Sequence, residues 1–288
     1  YGDGDIMTHR LVQVGDIRLA VRELGVANTQ PSIVLVHGLA SNSRLWDGAA
    51  SALAGFGYHV VSLDQRGHGL SDKPDDGYDM ATVVDDLATL IKQLGLQRPI
   101  VAGQSWGGNV VVELAHRHPT STRGVCAVDG GLIQLCDRFA SWDDCVEALQ
   151  PPRLAGSRAD GFAKMMRRVY AGWPETAVTG ALANMQHHDD GTISPWLTFD
   201  RHIKVLRGLW EHRPHDILPS ITVPVLFTPA DSGDAWSSEK RREYDAFTKQ
   251  NERVKVQWFS PAHHDLHAQF PERWATALHE NIVSGFLT

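Results

Sequence analysis

Short, largely apolar runs alternate with amphipathic stretches along most of this chain. The runs cover residues 33–36, 60–63, 100–102, 125–128, 225–228 and 254–259. The first of these are continuous in apolarity, which is what a strand covered on both faces requires, and the runs together predict parallel strands. Between them, helical spacing covers about 43–54, 79–94, 109–118, 237–250 and 271–283. Strand and helix in alternation predict an α/β fold, with right-handed crossovers placing helices on both faces of the sheet. Ahead of the first run, 11–14 and 17–22 flank Gly15 and Asp16 and predict a short antiparallel hairpin.

The alternation fails between residues 132 and 219. Helical patterns occur there, but no clear strand, and sheet strands stand on either side. An inserted helical cap is the expectation, with the core formed by 7–131 and 220–288. The insert is rich in large apolar residues, among them Trp142, Met166 and Trp210. Most must pack the insert itself, and the rest are expected to line an apolar pocket.

Open α/β sheets bind ligands beyond the carboxyl ends of their strands. Three chemically useful residues fall there: His37, Ser105 and Asp129. Ser105 stands out. The run from Ile100 ends in Gly103-Gln104-Ser105-Trp106-Gly107, and a helical pattern follows until Pro119. Strand, sharp turn and helix are the context a nucleophile elbow needs, in which a strained turn presents the serine hydroxyl above the strand end. The positions two before and two after must be very small, and both are glycine. An ordinary Gly-rich turn would have the same letters without that context.

Three further strings accompany the elbow: His37-Gly38-Leu39 after the run 33–36, Asp64-Gln65-Arg66-Gly67-His68-Gly69 after the run 60–63, and Pro261-Ala262-His263-His264-Asp265-Leu266-His267 before Pro271-Glu272. Together they resemble the α/β-hydrolase fold family, from about residue 11 to residue 286, with 132–219 matching only as the variable cap. The implied fold is a mostly parallel α/β-hydrolase sheet with helices on both faces and an inserted helical cap. The resemblance says little about substrate, because one fold hosts many chemistries.

The resemblance also implies roles. A serine hydroxyl needs a base, and the family places its histidine after the last strand. His264 fits that place; His263 stands where glycine is common and is a rival, and His267 is expected to support the site or line the pocket. The family's oxyanion donors are the backbone N–H groups of the residue after the nucleophile, Trp106, and of the residue after His-Gly, Leu39. His37 and Trp106 are expected at the pocket as well. The acid departs from the commonest pattern. The usual register falls on Gly233, between Asp231 and Asp234, whereas a minority of the family places the acid one strand earlier, where this chain has Asp129. Asp129 is the choice, with Asp231 and Asp234 left as alternatives.

Composition narrows the setting. A length of 288 residues suits one α/β domain with an insert, and 42% apolar residues can build its core without disulfides. The net charge of −7 argues against nucleic acid and anionic membranes as partners. No apolar run reaches the ~20 residues of a membrane span. Residues 1–6 precede Met7 and read as an expression remnant. Three cysteines, Cys126, Cys136 and Cys145, lack metal spacing and suit a reduced, cytoplasmic protein. His187-His188-Asp189-Asp190 has metal-ligand residue types, but their adjacency suits a solvated turn.

The expected function is hydrolysis of a carboxylic ester, lactone or thioester through an acyl-enzyme on Ser105. The substrate is expected to be a small apolar or aromatic acyl compound, without a cofactor or metal, acted on by a monomer or homodimer. The same residues would serve a carbon–carbon bond hydrolase or an acyltransferase. Proline iminopeptidases share some motifs, but His-Gly-Leu-Ala replaces their His-Gly-Gly-Pro. Halide or epoxide chemistry is disfavoured because Ser105 stands where those enzymes carry Asp. A ligand receptor without turnover is the rival from another class.

Overall fold

The apolar runs become strands of one sheet. In this computed structural model, which describes residues 7–233 and 235–288, the strands are β1 (Thr8–Val14), β2 (Ile17–Leu24), β3 (Ile33–Val36), β4 (Val60–Leu63), β5 (Ile100–Gln104) and β6 (Gly124–Val128). Three short strands follow, β7 (Ser157–Arg158), β8 (Met185–His187) and β9 (Thr192–Pro195), and then β10 (Val225–Thr228) and β11 (Val254–Val256). The main sheet has the order β1-β2-β4-β3-β5-β6-β10-β11. β2 pairs antiparallel with β1 and with β4, and the other neighbours pair parallel. Every residue of β3, β4, β5, β6 and β10 is buried, as continuous apolarity requires.

Helices α1 (Asp47–Gly55), α2 (Met80–Gln93) and α3 (Trp106–Arg117) join the early strands. Between β6 and β10 lie α4 (Trp142–Leu149), α5 (Ala159–Val169), α6 (Glu175–Leu182), α7 (Phe199–Glu211) and α8 (Pro214–Ile217). After β10 come α9 (Ala235–Gln250), α10 (Leu266–Gln269) and α11 (Pro271–Val283). Two apolar clusters show that both sheet faces are covered. One joins Val34, Val36 and Val101 to Val84, Leu87 and Val111 of α2 and α3. The other joins Ile33, Leu35 and Ile100 to Leu53, Trp274 and Leu278 of α1 and α11. Each fully buried aliphatic side chain contributes about 1.5–3 kcal/mol. Asp79 starts α2 by accepting the Thr82 N–H at 2.9 Å.

The stretch between β6 and β10 is not wholly helical. β7, β9 and β8 form a three-stranded antiparallel sheet with its own core of Phe162, Met185 and Ile193. These strands are short and mostly polar, so they lack the apolar run that marks a buried strand. Elsewhere the corrections are to lengths. β1 begins at Thr8 because its first four residues are exposed and polar positions leave no apolar signal. β11 ends at Val256, and only an isolated bridge from Ala230 to Phe259 continues it.

Candidate active site

Register places Ser105 and Asp129 side by side. Gln104 pairs with Val128 across β5 and β6, so the next residue of each chain emerges at the same sheet end. The Ser105 N–H bonds the Val128 carbonyl at 2.9 Å. Ser105 has φ 55° and ψ −120°, a region that costs a non-glycine residue about 1–3 kcal/mol. The chain passes directly from it into α3. Crowding explains the glycines. A Cβ at Gly103 would stand 2.0 Å from the Gly107 carbonyl oxygen, and one at Gly107 would stand 2.5 Å from that of His37. Asp129 shares the left-handed backbone, with φ 41°, and Gly130 follows because a Cβ there would lie 2.2 Å from the Ser105 carbonyl oxygen.

The structure brings Asp129 and His264 together. His264 Nδ1 donates to Asp129 Oδ2 at 2.6 Å. Asp129 is 7% exposed and His264 is 53% exposed, so the ring turns one edge inward and leaves the rest open. The other carboxylate oxygen of Asp129 accepts from the Ala230 N–H and from Lys240 Nζ, each at 2.8 Å. Burial alone would raise the Asp129 pKa, but the bonds and charges of His264 and Lys240 outweigh it and hold the pKa below the usual range. For His264, burial of the bonded edge opposes charging. The hydrogen bond and charge of Asp129, with the charge of Asp265, win, and the pKa is raised. Gln104, just before the elbow, donates from Nε2 to the His264 carbonyl at 3.3 Å and ties the histidine loop to Ser105.

Leu39 sits in a turn closed by the Ser41 N–H on the Gly38 carbonyl at 3.3 Å, with Ala40 at φ 57°. The turn bond does not use the Leu39 N–H. The turn packs on the elbow, since a Cβ at Gly38 would lie 3.2 Å from Ser105 Cβ. Trp106 opens α3, where N–H groups lack intrahelical acceptors. His37 is 1% exposed and braces this region: Nδ1 donates to the Gly38 carbonyl at 2.7 Å, and Nε2 accepts from the Gln65 N–H at 3.0 Å. Burial lowers its pKa to about 4, so it stays neutral. The Asp64 carboxylate accepts the Ser43 and Leu70 N–H groups at 2.7 and 2.8 Å and braces that loop against the sheet end.

Two cavities, of about 890 and 590 Å3, are lined jointly by residues ahead of α2 and residues of the stretch between β6 and β10. Neither is lined by the residues expected at a pocket. His37 and Trp106 are buried, with the Trp106 indole 5.5 Å from the His68 ring. Trp142 and Trp210 pack edge to face at 5.9 Å against the main core. Met166 fills the insert's own core. Packing demand took these apolar side chains. The cavity walls instead include Met185, Trp196, Leu197 and Phe199.

The rival residues fall elsewhere. Asp231 pairs with Arg241, which, with the Gly233 N–H, pulls its pKa down to about 2. Asp234 lies outside the described residues, as does the segment 1–6. His263 is exposed, with its ring tilted against Trp173 at 5.6 Å between centroids. His267 is buried against Trp46, with ring centroids 4.0 Å apart. His188 and Asp190 lie in the exposed turn between β8 and β9, and no cluster of metal-ligand side chains occurs among the described residues. Cys126, Cys136 and Cys145 are free thiols. No helix among the described residues is long and apolar enough to cross a membrane. Sequence reasoning missed Lys240 and Gln104. Lys240 lies in a hydrophilic helix with nothing to single it out, and Gln104 occupies a variable position of the elbow.

Known proteins share this fold. Residues 31–164 match the family model described as the alpha/beta hydrolase fold. The chain is 30% identical over 237 residues to 2-(acetamidomethylene)succinate hydrolase of Mesorhizobium japonicum, covering 79% of each chain. It is 30% identical over 199 residues to epoxide hydrolase A of Mycobacterium tuberculosis, covering 65% of this chain and 62% of that one. The crystal structure of E-2-(acetamidomethylene)succinate hydrolase superimposes with a TM-score of 0.78 at 25% identity, covering 96% of this chain and 100% of that one. The elbow, the sheet order and these matches together establish that the chain belongs to the α/β-hydrolase fold superfamily.

Proposed function

We propose that this protein is a serine hydrolase that cleaves a carboxylic ester, lactone or thioester through an acyl-enzyme on Ser105. The observation that carries the reading is the 2.6 Å bond from His264 to Asp129 beside the strained Ser105 turn. Asp129 fixes the His264 tautomer, so Nε2 is the free base. Nε2 takes the Ser105 hydroxyl proton as Oγ bonds to the substrate carbonyl carbon. The N–H groups of Leu39 and Trp106 hold the resulting oxyanion. The tetrahedral intermediate collapses, and the leaving oxygen or sulfur departs with the proton from His264. Water, deprotonated by the same nitrogen, then releases the acid and restores Ser105. The 132–219 insert acts as a cap that limits water and shapes the acyl site.

Nucleophilic attack by Ser105 also fits amide or related acyl cleavage, a second reading favoured by the 79% coverage of 2-(acetamidomethylene)succinate hydrolase. That compound belongs in the substrate panel beside esters, lactones and thioesters. The test of the core reading is an organophosphonate probe with Ser105→Ala as control. One adduct on Ser105, with ester turnover lost in the folded variant, supports it. Labelling of another serine, or undiminished turnover in the variant, overturns it.

A further inference from the structure

We infer that the cavity of about 590 Å3 between the insert and the loop around Lys73 is a subsite for a ligand carboxylate, with Lys73 and Arg153 as its cations and Trp196 and Phe199 as its apolar walls. The inference deepens the proposed function and rests on it for the claim that the ligand is the substrate.

The first argument is charge. A chain with a net charge of −7 has a cavity whose lining includes Lys73 and Arg153 but no Asp or Glu. The nearby acids act on Lys73 only through space, the charges of Asp64 and Asp72 reaching it, while their hydrogen bonds and ion pairs go elsewhere. Asp72 pairs with Arg18 at 3.1 Å, Asp75 with Arg201 at 3.0 Å and Asp76 with Lys204 at 3.1 Å. Asp64 is held by backbone N–H groups of Ser43 and Leu70. Neither Lys73 nor Arg153 has an ion-pair partner among the described residues.

The second argument is geometry. Lys73 Nζ donates to the Gly69 and Ser71 carbonyls at 2.7 Å each and lies 5.0 Å from the Trp196 ring centroid. An ammonium has three donors, so one remains for a ligand. Arg153 lays its guanidinium 4.4 Å from the Phe199 ring centroid. Stacking occupies the face of a guanidinium and leaves its edge for bidentate capture of a carboxylate. The Ser41 hydroxyl, also in the lining, is buried and has no hydrogen-bond partner among the described residues.

The third argument is location. Ala40 and Ser41 form the core side of the cavity. They complete the turn whose Gly38 packs on Ser105. A ligand held by Lys73 and Arg153 would therefore extend toward the Leu39 N–H. The apolar part of the expected substrate finds its walls in Trp196, Leu197 and Phe199, and the cations add a charged end that a wholly neutral substrate would leave unused.

The test has a binding arm and a turnover arm. Calorimetry compares 3-phenylpropionate with its uncharged amide on wild type, Lys73→Met, Arg153→Met and the double variant. The carboxylate should bind about tenfold tighter or more, and the double variant should erase the difference while Lys73→Arg retains it. Equal binding of acid and amide, or a preference untouched by the double variant, overturns the subsite. In the turnover arm, the ratio of kcat/KM for 4-nitrophenyl hemisuccinate over 4-nitrophenyl butyrate should exceed one and collapse in the double variant. Both esters turning over on Ser105 without that ratio would overturn the subsite and spare the hydrolase reading. Carboxylate-selective binding without Ser105 labelling would overturn the hydrolase reading and spare the subsite.

Discussion

Lys240 Nζ lies 2.8 Å from Asp129 Oδ1, the carboxylate oxygen that His264 does not use. The same ammonium donates to the Ala230 carbonyl at 3.0 Å, and the Ala230 N–H bonds the same carboxylate oxygen. Lys240 therefore pins Asp129 to the end of β10 and leaves Oδ2 for the histidine. It also adds a positive charge close to His264. The charge on His264 is set by Asp129 and Asp265, which favour it, against Lys240 and burial, which do not. The next residue of α9, Arg241, takes Asp231. Adjacent cations thus sort Asp129 from Asp231.

That balance fixes the sign of the pH response. His264 must be neutral to act as base, and activity falls as pH drops through its raised pKa. Lys240→Met removes the opposing charge, so the acid limb of kcat/KM should move to higher pH. Asp265→Asn removes a supporting charge and should move it to lower pH, while Lys240→Arg should restore the wild-type limb. A merely structural role for Lys240 would lower the rate without moving the limb. An unmoved limb in Lys240→Met contradicts the argument.

The two acids make a sharper contrast. Asp129→Asn should lose roughly four orders of magnitude in kcat, because an asparagine there stabilises the wrong tautomer of His264. Asp231→Asn loses only a pairing with a half-exposed Arg241 and should stay within about tenfold of wild type. Steady-state kinetics on both folded variants reads the difference. Greater loss in Asp231→Asn would assign the acid to the later strand.

Most of the frame was legible because burial and period coincide. β3, β4 and β10 are buried at every position, and the apolar runs gave their limits. Ser105 was legible because sterics force glycine on both sides of it. Asp129 was legible only as one of several acids, since choosing among them depends on partners from α9 that no short pattern links to β6. The pocket was the least legible part. Trp142, Trp210 and Met166 had the right chemistry for a wall, but each satisfies a packing contact within the core or insert. Lys73 and Arg153 belong to no motif, and their lack of an ion-pair partner among the described residues is a property of the fold.

Glycine substitutions separate backbone freedom from close approach. Gly161 lies in α5 with open space around its Cβ position, so Gly161→Ala should stabilise the protein by about 0.5–1 kcal/mol. Gly107 lies in α3 as well, but a Cβ there would meet the carbonyl oxygens of Val36 and His37 at 2.6 and 2.5 Å. Gly107→Ala should therefore destabilise the fold despite the better helix propensity, or displace the elbow and abolish Ser105 labelling. Urea midpoints and phosphonate labelling measure both effects. Equal midpoints for the two variants would show that the elbow relaxes freely.

His267 supplies a stability test away from the reacting atoms. Its ring is 1% exposed, packs tilted against Trp46, and has no partner for either nitrogen among the described residues. Burial lowers its pKa to about 3, with a further contribution from the charge of His264. In the unfolded chain an imidazole titrates near its ordinary value of about 6.5. Between those two values the unfolded state holds a proton that the folded state refuses, so stability falls as pH falls through that window. The slope for one such group approaches about 1.4 kcal/mol per pH unit. His37, lowered to about 4 by burial, acts in the same direction over a narrower window. His267→Phe keeps an aromatic ring against Trp46 and removes one titrating group. Urea unfolding of wild type and variant at several pH values between about 6 and 4 should show a shallower pH slope for the variant by about that amount. Parallel slopes would mean that the folded protein protonates His267, and with it that water or a shifted partner reaches the ring.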